Sequence, residues 1–138
     1  MSELYEKACA VKAASKHCFT TEEKNRALRT IADYLLQSKE MILQANREDV
    51  KESAAKGISG AMLDRLTLTE KRIAEMADGV RQVADLPDPI GECMETIDRP
   101  NGLRIQKIRV PLGVIGMIYE ARPNVTVDCA ALTLKTGN

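Results

Sequence analysis

One run constrains this chain more than any other: Val110-Pro111-Leu112-Gly113-Val114-Ile115-Gly116-Met117-Ile118-Tyr119-Glu120-Ala121-Arg122-Pro123-Asn124-Val125-Thr126. Val114 to Tyr119 is apolar on both alternating faces, with Gly116 the one small gap. A strand with one wet face would alternate, so this pattern predicts a strand covered on both sides, as in a parallel sheet. The polar turn 120–124 follows. Pro123 fixes its own φ and pushes Arg122 towards extended geometry, which ends the strand there. Val125, Val127, Ala130, Ala131, Leu132 and Leu134 then read as a helix. Gly137 is suited to the left-handed position just past its end. In open α/β sheets, ligands bind at the carboxyl ends of strands, which puts the turn in the place of a site.

With 138 residues and 44% hydrophobic content, the chain is large enough for one domain with a real core. Lys plus Arg and Asp plus Glu are both 20, so net charge gives no reason to expect nucleic acid or an anionic membrane as partner. The chain has no Trp, one Phe and three Tyr, which removes the stacking platforms of single-strand binders. The four cysteines, at 9, 18, 93 and 129, form no Cys-x-x-Cys pair, and His17 is the only histidine. Metal-ligand spacing is therefore absent, and a reduced, cytoplasmic setting is the simplest reading. The first residues do not read as a signal peptide, and no apolar run approaches the length of a membrane span.

From Ser2 to about Gly57 the pattern is helical. Ser2 is a candidate cap for a helix carrying Leu4, Ala8, Val11 and Ala14, with His17 and Cys18 near its end as packing residues. Thr20 and Glu23 have capping-box spacing, and Ala27, Leu28, Ile31, Leu35 and Leu36 form one stripe behind them. Ser38 reads as the start of a third helix, ended by Gly57. Ala61 to Leu66 gives one or two turns. Thr67 and Thr69 are alternative caps for a helix carrying Ile73, Met76, Ala77, Val80, Val83 and Ala84, with Met76 read as core filling. Leu86 to Gly91 breaks that helix.

The period then becomes extended. Cys93–Ile97 and Leu103–Val110 read as strands joined by Arg99-Pro100-Asn101-Gly102. Leu103 and Ile105 point to one face, Ile108 and Val110 to the other, so the phase slips and predicts a bulge or a change of packing partner. Arg99, Arg104, Lys107 and Arg109 make the ribbon basic, which suits an exposed edge kept soluble by charge. A lone ribbon is barely stable, so it should lean on the rest of the fold or on a second subunit. No return strand follows the last helix, so the strand either pairs with distant elements or belongs to the front part of a longer protein.

The run Val110–Asp128, continuing through Leu134-Lys135-Thr136-Gly137-Asn138, closely resembles the γ-glutamyl phosphate reductase (glutamate-5-semialdehyde dehydrogenase) family. Glu22-Glu23-Lys24-Asn25-Arg26, Ile31-Ala32 and Ala61-Met62-Leu63-Asp64-Arg65-Leu66 share the likeness, which covers nearly the whole chain. The resemblance implies an α/β fold, the N-terminal part of the aldehyde dehydrogenase fold. It implies residues 1–91 as a helical part of the cofactor domain, 92–110 as an oligomerisation hairpin, and 111–138 as the first strand-loop-helix. It further implies NADPH-dependent reduction of L-glutamyl 5-phosphate to L-glutamate 5-semialdehyde in proline synthesis, in the cytoplasm, with functional coupling to glutamate 5-kinase. In that superfamily a cysteine thiolate attacks the acyl carbon, phosphate leaves, and hydride reduces the thioester. The family's nucleophile lies in a downstream domain. None of Cys9, Cys18, Cys93 or Cys129 has a base nearby in sequence, and Cys129 reads as a small buried thiol.

Laid on the superfamily pattern, Ile118, Tyr119, Glu120 and Ala121 fall where the nicotinamide side of the cofactor is lined. Arg122 falls where that pattern has the oxyanion Asn, and the nearest Asn here is Asn124. The expectation is that Arg122 meets the substrate's phosphate or carboxylate and Asn124 donates to the reacting carbonyl. The alternative is that Asn124 caps the following helix and Arg122 pairs with Glu120. The competing functional reading is a helical interaction module without catalysis. On the enzyme reading, the 138-residue chain alone is expected to be inactive.

Overall fold

The computed structural model describes residues 3–120 and 122–138. In chain order the elements are α1 (Glu3–Ala14), α2 (Thr21–Gln37), α3 (Lys39–Ala55), α4 (Ala61–Leu66), α5 (Glu70–Asp85), β1 (Cys93–Asp98), β2 (Arg104–Ile108) and α6 (Pro123–Lys135). Ser2, the expected cap of α1, lies outside the described residues.

Local signals place most helix ends. The Thr20 hydroxyl accepts from the Glu23 N–H, while the Glu23 carboxylate accepts from the Thr20 N–H at 2.8 Å, so the capping box is complete. Those hydrogen bonds, from the Thr20 N–H first and its hydroxyl second, hold the Glu23 carboxyl below its ordinary pKa. Thr69, not Thr67, caps α5 by accepting from the Arg72 N–H, and the Thr67 hydroxyl donates to Leu63 C=O instead. Ser38 does separate α2 from α3, but it makes no side-chain cap bond.

The core lies where α5 packs between α2 and α6. Leu28 and Ala32 of α2, Ala77, Val80 and Ala84 of α5, and Ala131 of α6 are buried together, flanked by Ile31, Leu35, Val83, Val127 and Leu134. Four of these six are alanines, which lets the helix backbones approach closely. The α5 stripe expected from sequence is buried at Ile73, Met76, Ala77, Val80 and Ala84. By contrast α1 buries nothing, and its Leu4 and Val11 are exposed.

A polar network ties these helices to the connector after α5. Lys24 Nζ lies 2.5 Å from Asp88 Oδ2, with 3% of the lysine side chain and 11% of the aspartate side chain exposed. The Thr21 hydroxyl and the Ile90 N–H also donate to Asp88. From α6, Lys135 Nζ donates to Asn25 Oδ1 at 2.7 Å and to Ala84 C=O at 2.9 Å. Burial alone would raise the Asp88 pKa; the donors Lys24, Thr21 and Ile90 outweigh it and hold the carboxyl below its usual range. Burial pushes the Lys135 ammonium pKa down.

The hairpin forms as the sequence predicts, with β1 antiparallel to β2. Its turn closes through Arg99 N–H to Leu103 C=O and Gly102 N–H to Arg99 C=O, both 2.9 Å. The register shifts between Cys93 and Glu95, opposite Ile108 and Lys107. The bulge that the β2 phase slip called for is thus carried by β1, at Met94. Every hairpin residue is exposed.

The expected buried strand over Val114–Tyr119 needs correction. No strand is assigned there, every residue of the run is exposed, and Ile118 is fully so. The N–H and C=O groups of these six residues have no backbone partner among the described residues. A parallel strand exists only through its neighbours' ladders, and the sole described sheet is the hairpin. The apolar run therefore lacks the cover its composition demands. Its N-terminal end is fastened, with the Gly113 N–H donating to Asn138 Oδ1 at 2.9 Å.

That fastening depends on Gly137. It sits at φ +69°, just past α6, where Gly137 N–H bonds Leu134 C=O and Asn138 N–H bonds Thr133 C=O. This is the Schellman closure expected of that position. A Cβ there would stand 3.2 Å from Pro111 Cγ. Gly137→Ala is expected to lower unfolding free energy by roughly 1–2 kcal/mol through the left-handed backbone, with crowding of Pro111 in addition. A shifted urea midpoint at unchanged slope would report it; an unchanged midpoint would contradict it.

Candidate functional site

Two clefts meet at the start of α6, and the turn expected to carry the site borders both. Pro123 is the first residue of α6, as its fixed φ suits. Arg122 precedes it with φ −135° and ψ 90°, the extended geometry a following proline imposes. Its N–H donates to Glu120 C=O at 2.7 Å, and its C=O accepts from the Val125 N–H at 3.0 Å. The Tyr119 and Thr126 hydroxyls lie 2.6 Å apart and tie the loop to the first turn of the helix.

This arrangement removes both bland alternatives for the pair. Asn124 does not cap α6: the helix starts one residue earlier, at the proline, and the Asn124 amide instead donates to Asp128 Oδ2 at 3.4 Å. Arg122 makes no ion pair with Glu120; the two residues are joined through their backbones.

The first cleft, of about 410 Å³, is lined by Asp64, Arg65, Arg72, Arg122, Asn124 and Asp128, with Thr67, Leu68, Glu75 and Met76 completing its wall. The second, of about 370 Å³, is lined by Met62, Arg65, Ile118, Tyr119, Glu120, Arg122 and Val125. Ile118, Tyr119, Glu120, Arg122 and Asn124 are thereby brought to one region of the surface. Ala121, the remaining expected cofactor contact, lies outside the described residues.

The opposite wall was not singled out by sequence reasoning as part of a site. It is the corner between α4 and α5, and side chains bind it densely to its own backbone. The Asn46 amide donates to Leu66 C=O at 2.8 Å and accepts from the Leu68 N–H at 2.7 Å. The Arg72 guanidinium donates to the carbonyls of Asp64 and Thr67 and to both Asp64 carboxylate oxygens. Only the likeness of residues 61–66 to a known family marked this segment, because nothing in its periodicity signals a site.

No cysteine lines either cleft. Cys9, Cys18 and Cys93 are exposed elsewhere and Cys129 is half-buried within α6. Among the described residues no group of three His, Cys, Asp or Glu is placed to hold a metal ion, and no helix is long and apolar enough to cross a membrane.

The helical layer with its single hairpin is the architecture of the N-terminal part of a known class of reductase. A crystal structure of γ-glutamyl phosphate reductase from Thermotoga maritima matches 99% of this chain at a TM-score of 0.95 and 46% identity, over 34% of its own length. The Saccharomyces cerevisiae γ-glutamyl phosphate reductase structure matches all of the chain at 0.93 and 29% identity, over 36% of its length. In sequence, γ-glutamyl phosphate reductases of a Geobacillus strain and of Geobacillus kaustophilus are 61% and 58% identical over the whole chain. No family model matches. In sequence and backbone the chain thus corresponds to the N-terminal part of the γ-glutamyl phosphate reductases, and it spans about a third of the length of these curated relatives.

Proposed function

We propose that this chain supplies the substrate-anion side and part of the nicotinamide side of an enzyme that reduces L-glutamyl 5-phosphate to L-glutamate 5-semialdehyde, releasing phosphate, in proline synthesis in the cytoplasm. The observation that carries the reading is the convergence of Arg122, Asn124, Ile118, Tyr119 and Glu120 on two adjoining clefts. Arg122 offers a guanidinium fork matched to phosphate or carboxylate. Among the described residues the Asn124 amide is held by a single 3.4 Å bond to Asp128, which leaves it able to turn towards a reacting carbonyl oxygen.

Met62, Ile118 and Val125 give the second cleft an apolar wall, beside Tyr119, against which a nicotinamide ring would lie. NADPH, when bound, supplies the hydride. The nucleophile must come from elsewhere, because no cysteine reaches either cleft. Residues 1–91 and 111–138 then belong to the cofactor domain. The exposed hairpin, within 92–110, is a surface for assembly with like subunits. Coupling to glutamate 5-kinase follows from the reactivity of the acyl phosphate, which hydrolyses unless it is consumed near its source.

The test is a chimera in which this segment replaces the matching third of the Thermotoga maritima enzyme. The chimera should oxidise NADPH with the acyl phosphate and reduce NADP+ with semialdehyde plus inorganic phosphate. The 138-residue chain alone should do neither. Arg122→Ala in the chimera should reduce kcat/KM for the acyl phosphate roughly tenfold to a hundredfold, the loss of a charged hydrogen-bond pair. Activity of the isolated chain, or unchanged kinetics in Arg122→Ala, would refute these assignments.

A further inference from the structure

Side chains brace the α4–α5 corner on both sides of Arg65. Residues 64, 66, 67 and 68 each have a backbone group held by the side chain of Asn46 or Arg72, and the Thr67 hydroxyl adds a bond to Leu63. Arg65 stands in the middle of this fixed segment. It is exposed and borders both clefts, as Arg122 does. Among the described residues neither Arg65 nor Arg122 lies within ion-pair distance of a carboxylate. The third arginine of the cleft, Arg72, is neutralised by Asp64.

Arg29, Lys39 and Arg81 each reach an acid on a neighbouring element, Asp85, Glu70 and Asp33 respectively. Arg65 and Arg122, neither of them in an ion pair among the described residues, border one cleft from a braced corner and from a helix start, beside the carboxylates of Asp64, Glu75 and Asp128; two guanidinium forks placed on one cleft can converge on one oxyanion. We propose that Arg65 is a substrate-binding residue that shares with Arg122 an oxyanion of the substrate, either its phosphoryl group or its carboxylate. This rests on the reductase reading above. Arg65 deepens it by giving the substrate's oxyanion a second guanidinium fork.

The experiment uses the chimera in the reverse direction, where inorganic phosphate and the semialdehyde are varied separately. Arg65→Gln should raise KM for one of them about tenfold or more, with KM for NADP+ unchanged and Arg65→Lys intermediate. A raised KM for phosphate assigns the phosphoryl group, and a raised KM for semialdehyde assigns the carboxylate. Because Arg65 is exposed, thermal unfolding of Arg65→Gln should match the parent. A raised KM for NADP+ alone, or no change in any KM, would overturn the role of Arg65 while leaving the reductase reading intact. An inactive parent chimera would overturn the reductase reading itself. Phosphate binding to that inactive parent, followed by titration and weakened by Arg65→Gln, would still support an anion site at Arg65; binding unaffected by the substitution would overturn it.

Discussion

Replacing Asp88 with alanine is expected to destabilise this chain by about 3–5 kcal/mol, the usual consequence of stripping one partner from a buried ion pair. The cause lies less in the lost attraction than in what remains. Lys24 has 3% of its side chain exposed and its ammonium faces Asp88 at 2.5 Å. Without Asp88 that ammonium is a buried charge with no counter-ion. The Thr21 hydroxyl and the Ile90 N–H lose their acceptor as well. The urea midpoint of Asp88→Ala should fall sharply at unchanged slope. The double substitution Lys24→Met with Asp88→Leu should recover most of the loss, because removing both charges also removes the desolvation cost. A mild effect of Asp88→Ala, or additivity in the double variant, would contradict this account.

The same carboxylate makes a prediction about pH. Its pKa is lowered in the folded chain, despite burial, by Lys24, Thr21 and Ile90. A depressed folded value means that the unfolded state takes up the proton first. The stabilisation is therefore complete above the unfolded value of about 3.9 and is lost as pH falls through the folded one. Urea midpoints should decline below about pH 4 in the parent. In the Lys24→Met, Asp88→Leu variant that part of the decline should vanish.

The parts of the fold that were legible in the sequence are those decided within a few residues. Thr20 and Glu23 satisfy each other across one turn, Gly57 and Gly137 each donate to a carbonyl three residues back while the residue after each donates to one five back, and Asn101-Gly102 turns a hairpin on itself. The α5 stripe was readable because a helix buries residues by a fixed period. What escaped was decided across the chain. Lys24 meets Asp88 from 64 positions away, and Lys135 reaches Asn25 across 110; no local pattern announces such partners. The run Val114–Tyr119 shows the opposite failure. Its composition states a need for cover on two faces, but a need for neighbours is not a neighbour. In the candidate site, Arg122 and Asn124 were singled out by the resemblance to the aldehyde dehydrogenase pattern, which lays them at and beside its oxyanion position. Arg65 and Arg72 were not assigned roles, because their place beside the cleft depends on a corner held by Asn46, some twenty residues earlier.

Asn46 is accordingly the second position at which one side chain should matter most. It is 6% exposed, and its amide serves Leu66 C=O and Leu68 N–H together. Asn46→Ala orphans a carbonyl and an amide that are both half-buried, at about 1–3 kcal/mol each, so a total of roughly 2–6 kcal/mol is expected. Asn46→Asp separates the two bonds. Its carboxylate can still accept from the Leu68 N–H but would face the Leu66 carbonyl without a proton to donate. Once protonated, it regains that donor. Burial and the facing carbonyl would raise the carboxyl's folded pKa above its unfolded value, so this variant should gain stability relative to the parent as pH falls from 7 towards about 4. Its trend is therefore opposite to the Asp88 effect, which sets in only at lower pH. Urea midpoints at pH 7 and pH 4.5 should show the gap between variant and parent narrowing. A gap that is constant, or wider at pH 4.5, would mean that the amide's two bonds do not hold the α4–α5 corner, and with them would go the rigid platform on which Arg65 stands.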